Sequence, residues 1–159
     1  MKIVQKMQSL ILYSMKANEI KISYKRKNIN PRTIIKSSKQ TFDFIINCWN
    51  KNTIEAFESV KLILMDRANA VLGIYNLSNG GLDSSVIDVK IIYSIALKCL
   101  ASSIIIVHNH PSGNIIPSNA DLLITRKIKD GCKILSINFL DHLIISNSNF
   151  YSFADSGEI

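Results

Sequence analysis

The order of hydrophobic patterns in this 159-residue sequence predicts an α/β fold, a mixed β-sheet flanked by α-helices. Short apolar runs of strand length alternate with amphipathic stretches that begin at residues typical of helix N-caps. The continuous apolar run from Ser103 to Val107 is typical of a strand that is buried on both faces. The sequence contains no internal repeat and no low-complexity tract that would favour a solenoid or a disordered chain.

The N-terminal part of the chain differs from the rest in its pattern. Apolar residues recur at helical spacing over residues 1–18, residues 20–24 have the pattern of a short strand, and residues 28–32 indicate a linker. We therefore expect a basic N-terminal extension over residues 1–36 and one folded domain over residues 37–159.

Within the predicted domain, each element is indicated by its cap or by its hydrophobic period. Ser37 and Ser38 cap a first helix, whose inward face is formed by Phe42, Ile45, Ile46 and Trp49. The later elements are predicted in this order: strands at about 59–66 and 70–78, a helix from a Ser85–Asp88 capping box to about Leu100, a strand to Val107, a helix from 119 to about Asp130 with Gly131 as its stop, and strands at 134–140 and 142–146 with a hairpin near 147–149.

Composition limits the class of protein. Apolar residues make up 47% of the chain, which favours a folded core, and no segment reaches the roughly 18 apolar residues of a membrane helix. Residues 9–15 form a short apolar run, but Lys16 follows at once, so we do not interpret it as a signal peptide. The three cysteines match no metal or redox spacing, and we expect a cytoplasmic protein without a membrane partner.

The positive charge is concentrated at the N-terminus. Residues 1–40 contain ten Lys or Arg and one acid, Glu19, which gives +9, whereas residues 41–159 carry nine basic and eleven acidic residues, which gives −2. Such a basic segment is typical of contact with nucleic acid or with an acidic protein surface. The alternative is a solvated extension that keeps the chain soluble.

A metal site is predicted where the buried strand ends. His108 and His110 are at positions i and i+2, so their side chains project from the same side of an extended segment. Zinc binds imidazole nitrogen and carboxylate oxygen, and the histidine pair with Asp121 would leave a fourth position open, as catalytic zinc sites do. Ser118 and Asp121 also match a capping box, and one carboxylate cannot easily serve both purposes. If Asp121 binds the metal, we expect its carboxylate to turn outward while Ser118 still caps the helix.

These motifs resemble those of a known family. The string HNHPSGNIIPSNAD from His108 resembles the JAMM motif of JAB/MPN-domain metalloproteases, and the later strings LDHLII and YSFAD are similar to the RadC-like branch. The resemblance extends over about residues 37–159. It implies a cytidine-deaminase-like α/β sandwich and a zinc-dependent (Zn²⁺) hydrolase of peptide or isopeptide bonds in a peptide or protein substrate. RadC-like proteins are often labelled DNA repair proteins. Because about 36 residues precede the predicted domain, we expect no separate N-terminal helix-hairpin-helix region like that of longer members.

The resemblance also assigns roles to residues. It implies that His108, His110 and Asp121 are the zinc ligands, that Glu58 is the general base, and that Ser118 stabilises the oxyanion of the tetrahedral intermediate. Glu55 lies three residues before Glu58 and is the competing candidate for the base. A solvated carboxylate at a helix end is the plain alternative for either.

Two further alternatives concern the chemistry of the site. His142 follows Asp141 in the LDH string and could support a ligand from behind, but a packed strand histidine is the commoner outcome and we favour it. Instead of an enzyme, the domain could be a non-catalytic, metal-stabilised DNA- or protein-binding module. Hydrolysis of a phosphodiester by a two-metal site is disfavoured, because too few carboxylates are clustered to hold a second metal.

Overall fold

A computed structural model describes residues 32–79 and 87–159 of the chain. The patterns noted at residues 1–18 and 20–24, nearly all of the linker at 28–32, and Ser85 lie outside the described residues. The described part contains three helices and five strands: α1 (Ser38–Asn47), β1 (Ser59–Met65), β2 (Val71–Asn79), α2 (Val89–Lys98), β3 (Ser103–Asn109), α3 (Asn119–Ile134), β4 (Asn138–Ile145) and β5 (Phe150–Ser152).

The five strands form one mixed sheet in the order β2-β1-β3-β4-β5. β3 pairs in parallel with β4 and antiparallel with β1, and the two outer pairs are antiparallel. β3 is the central strand, and all seven of its residues are buried, as its continuous apolar run predicts. The predicted fold class is therefore confirmed.

Alternating side chains of the sheet pack into two separate cores. On one face, Val60, Leu62, Ile104 and Ile106 pack with residues of α2 and α3, among them Ile92 and Ile128. On the other face, Ile63, Ile105 and Val107 pack with Phe42 and Ile45 of α1. Because β-strand side chains alternate, His108 continues the face of α2 and α3, whereas Asn109 continues the face of α1.

The second helix begins later than the capping pattern predicts. Asp88 is the N-cap itself, and its side chain accepts a hydrogen bond from the backbone N–H of Lys90 at 2.9 Å. The prediction that Asp88 is the third helical residue of a box that Ser85 begins is wrong. An aspartate favours both positions, since its carboxylate can accept a backbone N–H in either.

The third helix and the strand after it also differ from the prediction. α3 runs through Gly131 and ends at Ile134, and Ser136 then adopts a positive φ of 55°. The prediction that Gly131 ends the helix is wrong. Packing explains the glycine instead: the Tyr93 ring lies against its Cα, and a Cβ there would lie 2.1 Å from the Tyr93 hydroxyl. Residues 135–137 lie between this helix and the sheet, and a single strand, β4, replaces the two that were predicted at 134–140 and 142–146. The hairpin that follows β4 lies near 147–149, as predicted.

Within residues 32–79 and 87–159, no helix combines the length and the apolar character that a membrane span needs.

Candidate metal centre

The two histidines lie together at the end of the central strand. His108 is 1% exposed, at the end of β3, and His110 follows immediately after the strand. Their Nε2 atoms are 3.0 Å apart. The geometry expected of histidines at i and i+2 is therefore present, and both rings direct one nitrogen to the same point.

Asp121 lies at the N-terminus of α3 and faces this pair. Its Oδ1 is 3.2 Å from Nε2 of His108, and its Oδ2 is 3.8 Å from Nε2 of His110. The capping box is also formed: Oδ2 accepts from the backbone N–H of Ser118 at 2.8 Å and from its hydroxyl at 2.6 Å, while Ser118 Oγ accepts from the Asp121 N–H. The expected competition between capping and facing the histidines does not arise, because the two carboxylate oxygens have different partners.

The tautomer of His108 follows from a chain of hydrogen bonds behind it. The Thr125 hydroxyl donates to the Asp121 backbone carbonyl at 2.6 Å, so it can only accept from Nδ1 of His142, also 2.6 Å away. Complete burial lowers the pKa of His142 well below its usual value, so the ring is neutral and its Nε2 carries a lone pair. That Nε2 lies 2.9 Å from Nδ1 of His108 and accepts its proton. In its neutral form, His108 therefore has an unprotonated Nε2.

His110 is fixed in the same tautomer by a backbone carbonyl. Its Nδ1 lies 2.6 Å from the carbonyl oxygen of Asn114, which can only accept, so Nδ1 carries the proton. Two bare nitrogens and a carboxylate then converge on one point, and only a proton or a metal cation between them relieves their mutual repulsion. Burial raises the pKa of the Asp121 carboxyl, but a hydrogen bond from His108 in its protonated, positively charged form and the hydrogen bonds from Ser118 outweigh this effect and hold the pKa below its usual range.

Glu58 reaches the same point from the start of β1. One ligand atom each from Glu58, His108 and His110 lie within 4.8 Å of one another, which is close enough to share a cation. Glu55 does not reach this place: it is exposed, and its Oε1 accepts a hydrogen bond from the Asn147 side chain at 3.3 Å. The structure therefore places Glu58 rather than Glu55 beside the histidines. Its role as a base stays a prediction.

The site opens into a cleft of about 370 Å³. The cleft contains the side chains of all five residues that were predicted for the site, together with three apolar or small residues: Glu58, His108, His110, Ser118, Asp121, Ile87, Ala120 and Ile124. The described residues thus bring the five predicted groups into one concave surface. Both nitrogen and oxygen donors are present, which is the donor set that zinc prefers.

Three contributors to this geometry were not predicted from sequence. Thr125 and the carbonyl of Asn114 fix the two histidine tautomers, and Asn109 holds the backbone around Glu58. The sequence could have indicated Thr125, because this residue lies four positions after Asp121 and therefore on the same face of the helix. A backbone carbonyl such as that of Asn114 leaves no residue-type signal.

A mixed sheet with a histidine pair at the end of its central strand and an aspartate at the facing helix N-terminus defines an α/β domain built around a candidate metal centre. The model of the RadC-like JAB domain family matches residues 35–158, and the chain belongs to this family. The resemblance inferred from the motifs is confirmed.

Similar curated proteins come from several bacteria and carry the name UPF0758 protein. The one from Flavobacterium johnsoniae is 40% identical over 100 residues, which are 63% of this chain and 44% of the relative. The one from Thermotoga maritima is 39% identical over 102 residues, 64% of this chain and 46% of the relative. The one from Staphylococcus aureus is 35% identical over 132 residues, 83% of this chain and 57% of the relative. The chain thus spans about half the length of these relatives.

Proposed function

We propose that this domain is a zinc-dependent hydrolase of the JAMM type that cleaves an amide bond, peptide or isopeptide, in a peptide or protein substrate. One observation carries the proposal: the ring nitrogens of His108 and His110 lie close to each other and near the carboxylates of both Asp121 and Glu58, and all four residues line one open cleft. Two histidines that only packed against their neighbours would not need this arrangement. Carboxylate and imidazole ligands with space for a further group are typical of catalytic zinc sites.

In this proposal, His108, His110 and Asp121 hold the zinc. When bound, zinc would lower the pKa of a water ligand to about 7 and polarise the substrate carbonyl. Glu58 accepts a proton from the attacking water and later delivers it to the leaving amine. Ser118 contributes a donor for the developing oxyanion. Its hydroxyl donates to Asp121 Oδ2 at 2.6 Å, so it has to rotate to do so, while the Ser118 N–H keeps Oδ2 bonded.

The location of the Glu58 carboxylate beside the histidines favours an enzyme over the alternative function, a non-catalytic metal-stabilised module that binds DNA or protein. Such a module requires the histidines and Asp121 but has no use for a further carboxylate beside them. The basic residues 1–40 support a contact with nucleic acid, in line with the DNA repair label of the family. Binding of nucleic acid by these residues would be compatible with hydrolysis in the cleft.

The proposal is tested first by metal content. We expect one zinc per chain, retained in Glu58→Gln and lost in Asp121→Asn, since Asp121 is the ligand of the two carboxylates and Glu58 is the base. The hydrolysis of a library of peptides and lysine-linked isopeptides should fall by a factor of about 10² to 10⁴ in Glu58→Gln. Glu55→Gln is the matched control, because this carboxylate lies three residues away and bonds to Asn147 instead.

Each other outcome has a definite meaning. Protein that contains no zinc and takes up none when it is added would overturn the proposal. Zinc that is lost equally from Glu58→Gln and Asp121→Asn would make Glu58 a ligand rather than the base.

A further inference from the structure

Asn109 lies between the two histidines of the site, but its side chain points to the opposite face of the sheet. It is fully buried, with 0% of its surface exposed. The ladder between β1 and β3 ends one residue before it, at the pair Val60 and His108. Beyond that pair, the Asn109 side chain takes over from the backbone in holding the start of β1.

The Asn109 carboxamide makes three hydrogen bonds to the segment that carries Glu58. Its Oδ1 accepts from the backbone N–H of Ser59 at 2.7 Å. Its Nδ2 donates to the backbone carbonyls of Phe57 at 2.8 Å and of Ile54 at 2.6 Å. The Ser59 N–H and the Phe57 carbonyl belong to the two peptide groups on either side of the Glu58 Cα. One buried side chain therefore holds both backbone neighbours of the proposed base.

A carboxamide of this length is suited to the position. One acceptor meets one N–H, and two donor hydrogens meet two carbonyl oxygens, so the bonding capacity of Nδ2 is fully used. Aspartate would place an oxygen against the two carbonyls, and glutamine would be one methylene too long. Within residues 32–79 and 87–159, the Glu58 carboxylate itself has no hydrogen-bond partner. Its location beside the histidines therefore depends on how its backbone is held.

We infer that Asn109 is a positioning residue that fixes the Glu58 carboxylate over the histidine pair, so that the same tripeptide, His108 to His110, supplies two ligands and orients the base. This inference rests on the proposed function. It assigns Asn109 no contact with metal or substrate. Loss of its carboxamide should therefore displace Glu58 and leave metal uptake unchanged.

The experiment measures the position of Glu58 relative to the metal without any substrate. The protein is loaded with Co²⁺ in place of zinc and labelled with ¹³C at the glutamate carboxyl carbon. The chain has four glutamates, Glu19, Glu55, Glu58 and Glu158, so the spectrum is simple and its Glu58 signal is identified by its absence in Glu58→Gln. In the wild type, this signal should be the one most strongly broadened by Co²⁺. In Asn109→Ala, the broadening should fall severalfold at equal Co²⁺ content.

A second measurement tests the hydrogen bond between Asn109 and Ser59 in metal-free protein. The Ser59 amide should exchange with solvent roughly tenfold faster in Asn109→Ala, the effect of about one lost hydrogen bond. Val107→Ala is the matched control, because Val107 lies two residues earlier, on the same face of β3, and is also fully buried. It should lower stability without altering the Glu58 signal or the Ser59 exchange relative to global unfolding.

If Asn109→Ala does not fold, Asn109→Asp keeps the shape and the acceptor for Ser59 but lacks both donors to the Phe57 and Ile54 carbonyls. In this variant the Co²⁺ broadening of the Glu58 signal should fall, while the Ser59 amide keeps its bond and exchanges at about the wild-type rate. Unchanged broadening and unchanged Ser59 exchange would overturn the inference, as would failure of both variants to fold, which would make Asn109 a requirement of the fold. Wild-type protein that binds no Co²⁺ would instead overturn the proposed function. The exchange rate of the Ser59 amide would still show whether Asn109 holds the backbone beside Glu58.

Discussion

Nδ1 of His108 lies 2.9 Å from Nε2 of His142 on the neighbouring parallel strand. His142 is fully buried and stacks on Phe153 with ring centroids 4.7 Å apart. It is thus both a packed strand histidine, as we favoured, and a hydrogen-bond partner of a predicted ligand, the interpretation we ranked second. When one ring nitrogen of a metal-binding histidine donates a hydrogen bond, the other nitrogen is left unprotonated to bind the metal, and the basicity of this second nitrogen is raised.

The first prediction concerns Thr125, at the far end of this chain of hydrogen bonds. Thr125→Val keeps the shape of the side chain but removes the oxygen that accepts from His142 Nδ1. The proton on His142 is then free to move to Nε2, where it would oppose the proton of His108 Nδ1. We expect zinc affinity to fall by a factor of about 10 to 100, as for other partners of metal-binding histidines. Competition with a chromogenic chelator measures it.

Thr41→Val is the matched control. Thr41 is also a buried threonine near a helix N-terminus, and its hydroxyl donates to the carbonyl four residues earlier, as that of Thr125 does. It lies in α1, on the other face of the sheet. Equal zinc affinities for the two variants would show that the hydroxyl of Thr125 does not set the tautomer.

Sequence reasoning located the site where its parts are close along the chain. His108, His110 and Asp121 lie within one strand end and one helix start, so local patterns alone place them together. Glu58 is fifty residues away from His108, and only a resemblance to a family pointed to it. Asn109 was overlooked because an asparagine in a loop motif usually indicates a turn, and its long-range bonds depend on how the sheet brings β1 beside β3.

The errors in the predicted secondary structure also come from long-range contacts. Glycine after a run of helical residues is a common C-terminal signal, but at Gly131 the absence of a Cβ is required by packing against Tyr93 from another helix. A contact between two helices cannot be seen in the local pattern of either. The strands were predicted well where their apolar runs are buried on both faces, as in β3.

The second prediction uses this contact between Gly131 and Tyr93. Alanine is a better helix former than glycine by about 1 kcal/mol, yet Gly131→Ala should destabilise the domain by about 1 to 3 kcal/mol, because its Cβ overlaps the Tyr93 ring. The ring must then move and weaken its hydroxyl bonds to the Lys127 and Ile128 carbonyls. Urea unfolding measures the change.

The sign should reverse when the ring is absent. In a Tyr93→Ala background, Gly131→Ala should stabilise the domain by up to about 1 kcal/mol, since only the helix preference remains. Destabilisation of the same size in both backgrounds would contradict the proposed overlap.

The third prediction concerns Asp141, a buried carboxyl on β4. Burial raises its pKa to about 6, although Ser152 and the backbone N–H groups of Ala154 and His142 donate to it. Because the folded pKa lies above the unfolded value, the folded state binds the proton more tightly, and this carboxyl adds stability as the pH falls from about 7 to about 4. The gain is up to about 3 kcal/mol.

Asp141→Asn keeps the shape and the oxygen that faces the backbone N–H groups, and Ser152 can turn to accept. The free energy of unfolding of the wild type minus that of Asp141→Asn should therefore increase as the pH is lowered from 7 to 4. Asp130→Asn, at an exposed position on α3, is the control and should give a difference that is nearly independent of pH. A flat difference for Asp141→Asn would mean that the pKa of this carboxyl is the same in the folded and unfolded states.

The last prediction concerns the basic N-terminal residues. Deletion of residues 1–31 removes seven of the nineteen basic residues and Glu19, so the formal net charge falls from +7 to +1. The cut lies before Arg32 because Ile34 pairs with Ala70 and Ile35 is buried, and the shortened chain should fold and bind zinc as before. If the removed residues contact nucleic acid, affinity for a short DNA duplex should fall at 50 mM salt, and the full-length chain should lose most of its affinity by 200 mM because the release of counterions contributes less at higher salt. Full-length protein with these seven residues changed to glutamine separates charge from length. Equal binding by all three proteins at low salt would identify the segment as a solvated extension.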